Sequence, residues 1–475
     1  MLVALLFLAA LALLALSQAG AAPAEPLKLH PDNPHYFLFR GRPTILVTSG
    51  EHYGAVLNAD FDYRKYLDTL QACGLNHTRT FVGAYMEHPG AFKIARNVLA
   101  PAAGRLLCPW ARSDEPGYVN GGNKFDLSRW DPAYFARLTG FLRQASHRGI
   151  IVEVNLFCPF YGEEQWRLSP MNAVNSINGL GKVTREQVYT LDQHGGLLPV
   201  QEDMVRKVVA ELRDFDNLYY EIMNEPYVRE VPDSWQRRIS GVIVDAEKSF
   251  AHRHLISQNI ANHKAQVTDP DPRVSILNFH YAFPPDTVAM NYELNRVIGD
   301  NETGFSGTTD ARYRMEGWAF LLSGGGLYNN LDYSFTVGHE DGTFEYPPEQ
   351  PGGGTPTLRR QLGFLSRFLH GFDFVRMSPD LAVLDSPLPQ GVVAQALVEP
   401  GRQVALYLYR PERKEPGGPV ELSLRLPAGS YSAEWVSPVS GEVLQRRELQ
   451  HQAGSCKLLS PPFDDDLVLR ILADR

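Results

Sequence analysis

The sequence predicts a (β/α)8 barrel followed by a C-terminal β-sandwich. Three observations predict it. Eight short apolar runs, mostly separated by helical patterns, fill about 330 residues; several of those runs are apolar almost throughout; and from about residue 378 the texture changes to short alternating strands between Pro/Gly turns. Strand–helix alternation implies parallel pairing, and eight units are enough to close a ring. Strands that are apolar along their whole length are those buried on both faces. An open doubly wound sheet is the runner-up.

The elements follow in order. "TILVTSG" (44–50) reads as the first strand. In the helix "DFDYRKYLDTLQACG" (60–74), Asp60 or Asp62 is the cap and Tyr63, Leu67 and Leu70 share one face. "LNHTRTFVG" (75–83) is the second strand, and a long Pro- and Gly-rich loop follows it. In 130–149, Asp131 caps a helix with Pro132 at its first position, and Phe135, Leu138, Leu142 and Ala145 form the stripe. "IIVEVNLFCPF" (150–160) is the third strand. After another long loop, a helix over 201–215 turns Met204, Val205, Val208, Val209, Leu212 and Phe215 one way.

"NLYYEIMNEP" (217–226) is the fourth strand, its paired tyrosines read as packing. A helix at 233–250 leads to strands at 254–260, 274–283 and 296–304, with little room for a helix in 261–273. A helix at 310–325, a last strand at 326–334 and a helix at 357–372 complete the barrel, assigned to 23–377. "GVVAQAL", "QVALYLYR", "VELSLRL", "YSAEWVS" and "DLVLRIL" are the strands of a sandwich over 378–475.

The whole-chain numbers agree. A length of 475 residues exceeds one compact core, so two domains are expected. With 44% hydrophobic and 21% charged residues, the balance is globular. A net charge of −9 without a basic run longer than a few residues argues against phosphate-backbone binding, so no nucleic acid is expected as a partner. Residues 1–22 open with an apolar run ending near Leu16, then Ala19-Gly20-Ala21, the pattern of an export signal; left uncleaved, it would anchor the chain in a membrane. The expected location is secreted or periplasmic. Cys73, Cys108, Cys158 and Cys456 match no metal or redox spacing, which leaves disulfides and buried thiols both open.

A barrel carries its working residues where strands end. Those ends hold Glu51 and His52, Arg79, Asn155, Asn224 and Glu225, Asn259, His280 and Tyr281, Glu302, and Tyr328, Asn329 and Asn330. Glu225 and Glu302 come from nearly opposite sides of the ring. Splitting an acetal takes an acid for the leaving oxygen and a carboxylate for the developing oxocarbenium ion. Arg79, with Tyr281 or His280 as donor, would keep Glu302 ionised as the nucleophile. Glu225, facing that charge, would hold its proton as the acid. Asn224 would donate to the sugar's 2-hydroxyl. A separation near 5 Å means retention, and a wider one inversion.

"EIMNEP", "GLNHTRTF", "NFHY" and "GDNETG", in that order on strands four, two, six and seven, resemble the retaining glycoside hydrolases of clan A, above all the cellulase-like family 5. The resemblance covers roughly residues 40–370. It implies Glu225 as acid/base, Glu302 as nucleophile, and Arg79, Asn224 and His280 as support, with an oligo- or polysaccharide or glycoside as substrate and no cofactor. Two features depart from it. Tyr281 directly follows His280 where many members place a tyrosine two residues on, and "GGGLYNNLDY" stands where many carry a strand-eight tryptophan, so the substrate class does not transfer.

Other features have plainer readings. Asn76 and Asn301 sit in formal glycosylation sequons but within strands or at a barrel mouth. His252 and His254 have a metal-ligand spacing but precede a strand, which puts them at the far face; no metal site is expected. Glu51 and His52 line the sugar site or bond to loop backbone. Trp110, Phe160, Tyr161 and Trp166 lie in the long loops and either stack on sugar or pin those loops. A sugar-binding barrel without turnover, or an inverting or transferring enzyme, are the alternatives.

Overall fold

The computed structural model describes residues 25–192, 194–412 and 417–474; the expected export signal lies outside them. Eight parallel strands form one sheet: β1 (Leu46–Gly50), β2 (His77–Phe81), β3 (Ile151–Asn155), β4 (Leu218–Glu221), β5 (Ile256–Asn262), β6 (Ile276–His280), β7 (Val297–Thr303) and β8 (Leu327–Leu331). Their spatial order, β1-β8-β7-β6-β5-β4-β3-β2, runs once around a ring with β1 and β2 at the meeting edges. A doubly wound sheet would reverse its order at a switch point, so that reading falls. Every strand except β5 is buried along its whole length, as the apolar runs require.

Asn76 bridges the seam between β1 and β2. Its N–H donates to Val47 O (3.2 Å), its Oδ1 accepts from Val47 N (2.9 Å), and its Nδ2 donates to Ile45 O (2.9 Å). A side-chain amide there stands in for a peptide group, and its sequon is occupied by this bonding.

The helices include α1 (Tyr63–Ala72), α2 (Pro132–His147), α3 (Leu197–Leu212), α4 (Asp233–Ala246), α5 (Asp286–Asn291), α6 (Asp310–Leu322) and α7 (Pro356–His370), with a short further one, Glu163–Leu168, in the loop after β3. Asp62 and Asp131 cap α1 and α2 by accepting from backbone N–H groups two residues on. α3 starts at Leu197, earlier than the predicted 201, because Gly195 and Gly196 take positive φ and turn the chain in just before it. No helix joins β5 to β6, the weak fifth unit of the sequence. Part of the long loop after β2 is a hairpin, Trp110–Pro116 against Asn123–Trp130, which its mixed polar sequence conceals.

The C-terminal strands are β9 (Val393–Glu399), β10 (Gln403–Tyr409), β11 (Glu421–Leu426), β12 (Gly429–Val436), β13 (Val443–His451), β14 (Gly454–Leu459) and β15 (Asp466–Ala473). All pair antiparallel: β9-β10-β15-β12-β13 continue one sheet begun by Ser378–Pro379, and β11 pairs with β14. β13 lacks clear alternation and β14 alternates only over its last four residues, so both escape the sequence pattern. β10 explains its own unbroken apolar run. Val404, Leu406 and Leu408 face the sandwich core, while Ala405, Tyr407 and Tyr409 join the barrel's core. Across that junction Tyr407 stacks on Trp318 (5.4 Å) and Arg314 holds Asp466 through two 2.9 Å hydrogen bonds.

The four cysteines are free thiols. Among the described residues, no helix is long and apolar enough to cross a membrane.

Candidate active site

The carboxyl ends of the strands surround a cavity of about 230 Å³ lined by residues including His52, Tyr53, Glu87, Tyr161, Asn224, Glu225, Tyr281 and Glu302. Another of about 200 Å³, at the opposite face beside Arg213, Asp214 and His252, has no facing carboxylates. His254 there is bound up structurally, Nδ1 lying 2.7 Å from Glu247 Oε1 and Nε2 2.8 Å from Phe215 O.

Local backbone sets the side chains. After β4 the chain passes through buried Ile222 and Met223, and Glu225 then adopts φ 39° before Pro226 starts a 3₁₀ turn. Tyr53 and Tyr281 adopt φ 64° and 53°, and Phe92 φ 54° at the rim. Non-glycine residues in this region cost roughly 1–3 kcal/mol each and concentrate at working sites; all four line the cavity. The Asn259 Oδ1 steadies Glu225 by accepting from its N–H (3.0 Å).

Glu225 and Glu302 face one another across His280. The ligand atoms of the three lie within 4.8 Å of each other. His280 Nδ1 is 3.1 Å from Glu225 Oε1 and 3.6 Å from Glu302 Oε1. Glu302 accepts from Tyr281 OH (2.6 Å) and Arg79 Nη1 (3.2 Å). Glu225 accepts from Tyr161 OH (2.5 Å), and Asn224 Nδ2 donates to the same hydroxyl (2.9 Å). The three ligand atoms are a set that could hold a cation, but the Arg79 guanidinium already supplies positive charge at Glu302.

Burial pushes the Glu225 carboxyl up, but His280 and Tyr161 outweigh it and hold it below the ordinary value. The expectation that Glu225 keeps its proton because it faces Glu302 is therefore corrected. Its nearest charged neighbour is the imidazole. Burial lowers His280 in turn, yet Glu302 and Glu225 raise it above the usual histidine range. The proton belongs to the pair.

Arg79 is wholly buried and also bonds Glu153 on β3 and Glu221 on β4. These two carboxylates were not anticipated. Asn301 Nδ2 bonds both, Asn155 and Asn278 donate to Glu221 at 2.7 Å, and Tyr219 OH donates to Glu153 at 2.7 Å. Tyr219 is thus part of a polar network rather than packing alone, and Asn301 is inside the barrel, where no glycan fits. The signal was present: "IIVEVN" and "YYEIM" each place a glutamate inside an otherwise apolar strand.

Of the predicted residues, Arg79, Asn224, Glu225, His280, Tyr281 and Glu302 meet at one place, and His52 lines the same cavity. Three do not reach it. Glu51 turns back to accept from Gly54 N and Ala55 N, because its strand end needs a cap. Asn330 lies within the barrel wall, donating to Ser49 Oγ at 3.1 Å. Trp166 is buried against Phe160, its Nε1 donating to Val183 O, so it pins its loop. Trp110 and Phe160 are likewise buried. The cavity wall also includes Tyr85, Glu87, Phe92 and Leu99 from the loop after β2, where no periodicity points to them.

No family profile matches the chain, and no curated protein matches it in sequence. Solved structures do match in fold. A Bacteroides vulgatus protein provisionally assigned as a glycoside hydrolase is 14% identical with a TM-score of 0.65, over 96% of this chain and 84% of that one. A second glycoside hydrolase is 14% identical with a TM-score of 0.62, over 95% and 97%. A glycoside hydrolase of family 5 from Bacteroides vulgatus is 13% identical with a TM-score of 0.62, over 94% and 93%. The shared span takes in barrel and sandwich together.

Proposed function

We propose that this protein is a retaining β-glycosidase acting on an oligo- or polysaccharide or a smaller glycoside. The observation that carries the reading is the carboxylate pair at the ends of β4 and β7, close enough to share one imidazole. Two carboxyl groups at about 5 Å leave no room for water beneath the sugar and favour a covalent intermediate. Glu302 would attack the anomeric carbon and form a glycosyl ester, as the proton shared by His280 and Glu225 passes through Glu225 to the leaving oxygen. Glu225 would then take a proton from water, whose oxygen attacks the anomeric carbon of the glycosyl ester, breaking its bond to Glu302 and freeing that carboxylate. Fold kinship with glycoside hydrolases supports the reading. The cavity of about 230 Å³ lies below the roughly 300–1,000 Å³ of sites for drug-sized ligands, which favours a single sugar ring. Residues 1–22 favour export.

The test is hydrolysis of aryl β-glycosides by wild type, Glu225→Ala and Glu302→Ala, with and without azide. Azide should rescue Glu225→Ala and yield the β-glycosyl azide; Glu302→Ala should lose turnover and yield, if anything, the α-azide. Chelators should change nothing. A cleaved glycoside indifferent to both substitutions would sink the assignment.

A further inference from the structure

The cavity contains a second charged pair that the proposed chemistry leaves unused. His52 follows β1, Glu87 lies in the loop after β2, and both line the same cavity as Glu225 and Glu302. Glu87 is held from behind: Tyr85 OH donates to Oε1 (2.9 Å), and Asn97 Nδ2 bonds Oε2. His52 adds to this hold: its Nε2 stands 3.4 Å from Oε2, at ion-pair distance, and against the pull of burial it helps keep the Glu87 carboxyl below its ordinary value. The imidazole is fixed by its faces, lying 5.9 Å from the Tyr53 ring and 5.7 Å from the Tyr333 ring. Both of its nitrogens are buried without a hydrogen-bond partner among the described residues. Its nearest polar partner is Glu87, at a geometry short of a hydrogen bond, so a ligand hydroxyl that completed the bonding would recover part of the roughly 1–3 kcal/mol that an unbonded buried polar group costs.

We propose that His52 and Glu87 are specificity residues that grip two neighbouring hydroxyls of a neutral sugar. The proposal rests on the glycosidase reading for the presence of a sugar. The imidazole N–H donates to one hydroxyl oxygen, and the Glu87 carboxylate accepts the hydrogen of the next. A vicinal diol offers both at once. A uronic acid would set its carboxylate against Glu87, and like charges brought together in a desolvated site repel strongly. The substrate class is therefore a neutral glycoside with a free vicinal diol at the end held in the cavity.

The test reads binding rather than turnover. Methyl β-glucoside, galactoside, mannoside and xyloside, with methyl β-glucuronide and galacturonide, are titrated by saturation-transfer NMR into wild type, His52→Gln and Glu87→Gln. Wild type should bind at least one neutral glycoside and bind the matching uronide at least tenfold more weakly. Either substitution should weaken the neutral sugar about tenfold or more, and Glu87→Gln should narrow the gap to the uronide. No binding by wild type, equal or better uronide binding, or unchanged affinity in both variants overturns the proposal. The wild-type comparison stands even where a variant fails to fold. Binding through His52 and Glu87 without hydrolysis overturns only the hydrolase reading; hydrolysis with both substitutions silent overturns only this assignment.

Discussion

The Nδ1 of His280 on β6 lies 3.1 Å from the Oε1 of Glu225, just past β4, so the two side chains can pass one proton between them. That proton is present below the raised histidine value and lost above it. The alkaline limb of kcat/KM should therefore fall at a pH above the ordinary 6.5. In His280→Gln the limb should move to lower pH and the rate drop by about 10²–10⁴ on substrates with poor leaving groups. A pH profile of both proteins reads this; an unmoved limb removes His280 from the proton's path.

Tyr281→Phe deletes the 2.6 Å hydrogen bond to Glu302 and little else. Hydrogen bonds to charged groups contribute about 1.5–3 kcal/mol, so kcat/KM should fall roughly 10- to 150-fold. The melting temperature should stay close to wild type. A large loss of stability instead would make the tyrosine structural.

Arg79→Met should cost stability before it costs anything else. It would leave Glu153, Glu221 and Glu302 without their common cation in a dry interior, about 3–5 kcal/mol by analogy with broken buried ion pairs. Arg79→Lys should recover only part of this, since an ammonium lacks the planar fork. Urea unfolding midpoints decide it, and two midpoints at the wild-type value would refute the network's role.

Glu316 on α6 gives a pH-dependent difference. Burial pushes its carboxyl from 4.5 to about 7, outweighing Arg312. The folded state therefore binds more protons than the unfolded one between those values, and the stability Glu316 confers at low pH is lost as pH rises through about 7. Glu316→Gln does not titrate, so it should gain on wild type by roughly 3 kcal/mol between pH 4.5 and 8. Denaturant unfolding at the two pH values measures the gain; a constant difference would show an ordinary carboxyl.

The strands were legible because burial on both faces writes itself as unbroken apolar runs, and "MNEP" because polar residues closing such a run have few structural reasons to be there. Glu302 was legible by position, at the end of the seventh run. Glu153 was missed because the strand-end rule excludes mid-strand residues, and Glu221 because the predicted strand ran on to Pro226, past the Glu221 end of β4, although a lone carboxylate in an apolar run is itself a sign of an interior cation. Trp166 misled because a loop aromatic that anchors its own loop has the same sequence as one that meets a ligand. Glu51 and His52 adjoin in sequence yet part in space, one bonding backbone and one facing the cavity, and only the turn between them decides which. β13 was invisible since "VLQRRELQH" exposes most of its length and alternates weakly.

The two-sided strand β10 means that the C-terminal sheet is not a portable attachment. One of its faces completes the core that the barrel's outer helices share, and Asp466 supplies the counter-charge for Arg314, which sits buried on α6. A shortened chain ending near residue 377 would expose Trp318 and strand that arginine without its carboxylate. Evolution and engineering alike must therefore carry the two parts as a single inheritance, exchanged whole or left in place.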